Sequence, residues 1–136
     1  MKKYIIDTNA LISFVTDRNP EQQNKITPLF EAVAKMKAMM LCHQYVLTEF
    51  IYVMDKIYGV PKNEISRIAS DFVDMPGIEI IHEIDFNTVF SYWPDQIPDF
   101  GDAVIASVGK IRRSPIVTFD RKFSSNLKAI GLILWI

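Results

Sequence analysis

Two carboxylates in this chain have surroundings that do not suit an ordinary surface charge. Glu49 has Tyr45, Val46, Tyr52 and Val53 as its helical neighbours, and Asp102 runs straight into Ala103-Val104-Ile105-Ala106. No Lys or Arg lies within one helical turn of either. An ionised carboxylate on an apolar helix face is costly to desolvate unless a partner compensates it. A divalent cation would supply that compensation. Three further acids, Asp7, Asp99 and Asp120, fall at predicted element boundaries. Each has an ordinary reading: Asp7 and Asp99 as helix N-caps, Asp120 as a turn residue. Taken together, the five offer an oxygen-only donor set, which suits Mg²⁺ or Mn²⁺, whereas zinc would want His or Cys. His43 and His82 fall in or beside predicted strands and read as structural, and Cys42 reads as a small buried hydrophobe.

The elements that must position these acids alternate in type. Residues 3–7 read as a short buried strand ending on Asp7, with Thr8-Asn9 opening a brief helix over 10–15. A helical pattern covers 21–38, a strand 39–43, and a strong helix 44–58 that stops at Gly59. Pro61 opens a helix to about residue 74, Pro76-Gly77 makes a turn, and 78–82 is a third strand. Helices follow over 85–93 and from 99 or 100 to 112, then a fourth strand over 116–119, a helix over 122–129 and a fifth strand over 132–135. Alternation of this kind predicts an α/β fold, a three-layer α/β/α sandwich around a parallel sheet of about five strands. Ligands of such sheets bind beyond the carboxyl ends of the strands. Asp7 and Asp120 end strands, Asp99 and Asp102 open a helix on one face, and Glu49 lies one turn into another helix, so the acids map to one edge.

Composition narrows the class. A length of 136 residues predicts one domain over 1–136, with no linker, repeat or low-complexity segment. Hydrophobic residues at 49% and a net charge of −1 exclude disorder. One cysteine excludes a disulfide scaffold and a Cys-based zinc site. The apolar stretch of a signal peptide is missing, no run is long enough to span a membrane, and the expected compartment is the cytoplasm. Charge is unevenly spread: residues 103–136 carry six basic residues against one acid, a net +5, which leaves −6 for the rest. That asymmetry points to a polyanionic partner or to a solvated basic face.

Four segments in order carry a family resemblance: Ile5-Ile6-Asp7-Thr8-Asn9-Ala10-Leu11, Thr48-Glu49-Phe50, Phe100-Gly101-Asp102-Ala103-Val104-Ile105-Ala106, and Val117-Thr118-Phe119-Asp120-Arg121-Lys122-Phe123. The sequence resembles a PIN domain over nearly its whole length, and its bare one-domain architecture is similar to VapC-type toxins of toxin–antitoxin pairs. The resemblance implies a metal-dependent ribonuclease. It places Asp7, Glu49, Asp102 and Asp120 at the catalytic and metal-binding acidic positions, Asn9 and Thr118 at supporting polar positions, and Asp99 as a further ligand for a second metal. One or two ions, Mg²⁺ or Mn²⁺, would activate a water and stabilise the leaving 3′-oxygen. Arg112, Arg113, Arg121 and Lys122 are candidates for phosphate contacts, and a single-stranded or looped RNA is the expected substrate. A homodimer and a small antitoxin are the partners implied, with no membrane. One departure stands in the fourth segment, where many members have a second acid two residues after the fourth Asp and this chain has Lys122.

Competing readings fit less well. A haloacid-dehalogenase-like phosphatase wants an Asp where Asn9 stands, and a receiver domain wants an acidic neighbour that Asp7 lacks. A non-catalytic interaction module of the same fold would have lost at least one core acid. A stand-alone RNA-processing nuclease without antitoxin shares every residue considered above. The apolar ends of the pattern, Tyr92-Trp93 and residues 132–136, read as core or as partner surface, with core favoured for the C-terminal strand.

Overall fold

The structure, a computed structural model, describes residues 1–135. The chain opens with β1 (Lys2–Ile6) and α1 (Thr8–Val15), followed by α2 (Pro20–Ala34). Next come β2 (Ala38–His43) and α3 (Gln44–Tyr52), which runs on into a π-helical turn over Val53–Ile57. Then follow α4 (Lys62–Asp74), β3 (Ile78–Ile81) and α5 (Phe86–Tyr92). The chain closes with α6 (Phe100–Arg112), β4 (Ile116–Val117) and α7 (Arg121–Ala129).

The four strands form one sheet in the order β3-β2-β1-β4, and every pairing is parallel. The helices α1 to α4 pack on one another, while α5 packs on α6 and α6 on β1 and β4. This is the three-layer arrangement predicted by the alternation of elements. Strands buried on both faces read as continuous apolar runs, and Ile5, Ile6, Met40, Leu41, Ile116 and Val117 are all fully buried. Leu11, Phe30, Phe50 and Ile105 close the core from the helices. Each such side chain contributes roughly 1.5–3 kcal/mol through burial.

The topology decides where a ligand would sit. From β1 the chain moves outward through β2 to β3, then returns to the opposite side of β1 as β4. Strand order reverses between β1 and β4, and the crevice beyond their carboxyl ends is the expected ligand position. Register makes it exact to the residue: Ile5 pairs with Ile116 and Ile6 with Val117. The next backbone bond runs from Asp7 N to Val117 O at 3.0 Å, so Asp7 and Thr118 leave the sheet side by side.

Three expectations differ from the observed elements. The sheet has four strands, not five. Residues 132–135 make a single parallel bridge, Leu134 to Ile116, with Ile116 N donating to Ile133 O and Trp135 N to Ile116 O. The reason is that β4 is only two residues long and turns away at Thr118, leaving little strand to pair with. Leu132, Leu134 and Trp135 pack on the core and Ile133 faces out, so the strand-like alternation holds only up to Leu134. Ile136 lies outside the described residues. The helix over 21–38 ends at Ala34, because Met36 takes a left-handed φ of 60°. Its N–H bonds Val33 O and that of Lys37 bonds Ala32 O, a closing pair that stops the helix without a glycine. The helical stretch over 44–58 widens after Tyr52, where Tyr58 N reaches back five residues to Val53 O.

Candidate active site

The acids arrive at the crevice by four routes. Asp7 follows β1 and caps α1, accepting from Thr8 N at 2.8 Å through Oδ1. Its Oδ2 accepts from Asn9 Nδ2 and from Thr118 Oγ1, both at 2.8 Å. Asn9 also donates to Thr118 Oγ1 at 3.0 Å and accepts from Phe119 N at 2.8 Å, and Thr118 accepts from Asp120 N at 3.1 Å. Asn9 and Thr118 thereby stitch the end of β1 to the end of β4 and fix the Asp7 carboxylate between them.

Asp120 follows β4 and caps α7, with Phe123 N donating to Oδ1 at 3.0 Å. Asp99 caps α6 in the same way, with Asp102 N donating to its Oδ1 at 2.9 Å. Asp102 sits in the first turn of α6, half-buried. Glu49 comes from α3, whose N-cap is the fully buried His43. His43 Nδ1 accepts from Tyr45 N at 3.0 Å and Nε2 lies 3.0 Å from Glu83 O, so the ring is neutral with its proton on Nε2. Burial lowers its pKa in agreement with that state. The capping readings of Asp7 and Asp99 are therefore realised, and Asp120, read as a turn residue, is a helix cap as well. Each cap bond in α6 and α7 uses one carboxylate oxygen and leaves the other without a hydrogen-bond partner among the described residues.

Asp99, Asp102 and Asp120 line one open groove of about 360 Å³ together with Pro98, Lys122 and Asn126. None of the five acids takes part in a salt bridge among the described residues. The electrostatic consequence is large. Burial, opposed by the bonds from Thr118 and Thr8 and aided by Glu49 and Asp120, pushes Asp7 up to about 6. Burial and then the charges of Asp7, Asp99, Asp120 and Glu49 push Asp102 up to about 8. Without a cation to compensate them, burial and the neighbouring acids favour the protonated form of Asp102.

The donor set fits a hard divalent ion by its chemistry: every side chain offers oxygen, and the charges are uncompensated. Thr8 Oγ1, next to Asp7, is buried without a hydrogen-bond partner. Among the described residues, no three His, Cys, Asp or Glu side chains stand close enough together to hold a metal ion between them. That is compatible with Mg²⁺, which keeps several waters and binds through one or two carboxylates.

The basic residues separate. Lys122 lines the groove, and Arg121 stands exposed beside it at the start of α7. Arg112 and Arg113 are at the other end of α6, about 15 Å of helix from Asp102. Arg112 pairs there with Glu79 at 3.4 Å, and Arg113 closes the helix with a φ of 52°. One residue of the site escaped the reading of sequence patterns. Tyr45, there an apolar neighbour of Glu49, packs its ring on Gly101 between Asp99 and Asp102. Its spacing of one turn from Glu49 was the available signal.

The PIN domain model matches residues 4–126. No curated protein sequence matches the chain. Among solved structures, VapBC2 from Rickettsia felis, bound to a DNA fragment from their promoter, is similar at a TM-score of 0.69 and 23% identity, over 97% of this chain and 96% of that one. VapC20 of Mycobacterium tuberculosis, a sarcin–ricin loop cleaving toxin, is similar at 0.69 and 14% identity, over 96% of each chain. VapBC-1 from nontypeable Haemophilus influenzae is similar at 0.63 and 13%, over 98% and 96%.

Proposed function

This chain belongs to the PIN domain family, and from that premise we propose that it is a divalent-metal-dependent endoribonuclease and the toxin of a toxin–antitoxin pair. The observation that carries the proposal is the crevice at the β1–β4 switch point. Uncompensated carboxylates meet there, and two of them are held far above their ordinary pKa. Nothing in the stability of the fold requires that arrangement, since like charges crowded together cost free energy.

Asp7, Glu49, Asp102 and Asp120 hold the ion, directly or through water, and Asp99 contributes where a second ion binds. When bound, Mg²⁺ or Mn²⁺ supplies charge neutralisation at the scissile phosphate and lowers the pKa of an attacking water. The chain's own residues do the rest. Asn9 and Thr118 hold Asp7 in one orientation through Oδ2. The cap bonds at Asp99 and Asp120 lock those carboxylates to the rigid starts of α6 and α7. Lys122 and Arg121 contact the phosphates beside the groove, while Arg112 and Arg113 reach only an RNA long enough to run the length of α6. An open groove at a sheet edge takes an unpaired strand or loop, whose backbone bends into it.

The likeness to VapC20, a sarcin–ricin loop cleaving toxin, supports an RNA substrate and a looped one. The likeness to VapBC2 and VapBC-1 supports an antitoxin partner, and a homodimer in the cytoplasm belongs to the same proposal. No helix among the described residues is long and apolar enough to cross a membrane. A stand-alone RNA-processing nuclease would use the same site. A non-catalytic module is disfavoured because every core acid is present.

Incubation of the purified protein with mixed single-stranded and looped RNA, in Mg²⁺, Mn²⁺ or EDTA, tests the activity. Cleavage in metal, none in EDTA and none by Asp7→Asn is the expected result. Cleavage in EDTA shared by Asp7→Asn would overturn it.

A further inference from the structure

Tyr45 stands inside the acid cluster with no role in the scheme above. It lies on the first turn of α3, one turn before Glu49. Its ring is seated on the backbone of α6 at Gly101: a Cβ there would come within 2.5 Å of both Cε1 and the hydroxyl oxygen. Gly101 lies between Asp99 and Asp102, so the phenol is seated beside the stretch of α6 whose acids line the groove. Its position is fixed from the other side as well, because its backbone N–H donates to the buried His43 ring at 3.0 Å.

The hydroxyl has company but no partner. It forms no hydrogen bond with the described residues, although Tyr45 is only half exposed. The charges that act on it, Glu49, Asp99, Asp102 and Asp7, are all acids, and with burial they raise its pKa further from neutrality. The phenol therefore keeps its proton and remains a neutral donor. A groove walled by carboxylates repels a phosphodiester, and Lys122 is the only cationic side chain among those lining it. A neutral donor beside those acids could bond a phosphate oxygen without competing with them for a cation, and hydrogen bonds to a charged acceptor are among the stronger ones.

We propose that Tyr45 is a substrate-binding residue whose hydroxyl donates a hydrogen bond to a non-bridging phosphate oxygen of the RNA strand, seated there by its packing on Gly101. This rests on the nuclease reading for its substrate class, but its test does not depend on turnover.

Tyr45→Phe removes the hydroxyl and keeps the ring on Gly101. Binding of a short fluorescein-labelled single-stranded RNA is followed by anisotropy in Ca²⁺, and cleavage of the same RNA in Mn²⁺. Mn²⁺ affinity is measured by calorimetry and the melting temperature in EDTA. The variant is expected to bind the RNA about tenfold more weakly, as for one lost hydrogen bond to a charged group. Its Mn²⁺ affinity and melting temperature should match the wild type. Equal RNA binding by the two proteins, or no binding by either, overturns the proposal. A loss of Mn²⁺ affinity in Tyr45→Phe that parallels the loss of RNA binding overturns it too, since the phenol would then act through the carboxylates. Weaker binding by the variant together with a wild type that cuts no RNA would sustain the phosphate contact and sink the nuclease reading.

Discussion

Asp85 and Asp7 do the same local job in different company. Each caps a helix, Asp85 by accepting from Thr88 N at 3.3 Å and Asp7 by accepting from Thr8 N at 2.8 Å. Asp85 is exposed beside the edge strand β3. Asp7 is 5% exposed, between β1 and β4, with the charges of Glu49, Asp102 and Asp120 acting on it. Capping therefore says nothing about whether an Asp has a further role. What separates the two is desolvation and neighbouring charge, and both follow from the strand after which the residue falls.

The sharpest way to break this contrast is to exchange the costs. Asp102→Asn should abolish RNA cleavage, a loss on the order of a thousandfold or more in rate if metal and water are no longer held. The same change should raise the melting temperature in EDTA, because the native state no longer has to take up a proton at Asp102 or hold a charge that burial and four acids oppose. A variant that lost activity and stability together would mark Asp102 as a structural residue.

Dependence on pH comes next. Asp7 and Asp102 are pushed up to about 6 and about 8 in the folded protein, against 3.8 for an ordinary aspartate. Between the unfolded value and these folded values the native state binds more protons, so stability falls as pH rises through that window. In EDTA, chemical denaturation should show lower stability at pH 8 than at pH 5. Added Mn²⁺ should flatten or reverse the trend, because a cation relieves the same repulsion.

A smaller effect is expected at Gly101. Gly101→Ala drives a Cβ into the Tyr45 ring, and overpacking of this kind costs about 1–3 kcal/mol. Denaturant titration measures it, and Mn²⁺ affinity should fall as Asp99 and Asp102 shift with the start of α6. The smallest effect belongs to the comparison's other half. Asp85→Ala should cost about 1 kcal/mol, the worth of an exposed cap, and leave RNA cleavage unchanged.

Much of this was legible in the residues. The alternation of apolar runs with helical patterns predicts the parallel sheet, and the ends of those runs bring Asp7 and Asp120 to one edge. Asp99, Asp102 and Glu49 follow from helix phase. The features that escaped are set by tertiary contacts. Helix α2 stops through a left-handed Met36, a conformation that the sequence does not signal without Gly or Asn. The expected fifth strand shrinks to a bridge because β4, the strand it would pair with, is only two residues long. Arg112 and Arg113 are near Asp102 in sequence, but an α-helix carries them to the far end of the domain. Tyr45 reads as apolar by periodicity, and only the absence of a side chain at Gly101 brings it to the acids.

The central claim is that the crowded carboxylates exist to hold a divalent cation. Calorimetric titration of Mn²⁺ into the protein at pH 5 and pH 8, in buffers of different ionisation enthalpy, tests it most directly. The account predicts saturable binding that is tighter at pH 8, releases protons to the buffer near neutrality and is lost in Asp102→Asn but kept in Asp85→Ala. Binding of equal strength at both pH values without proton release, or equal binding by Asp102→Asn, would contradict it.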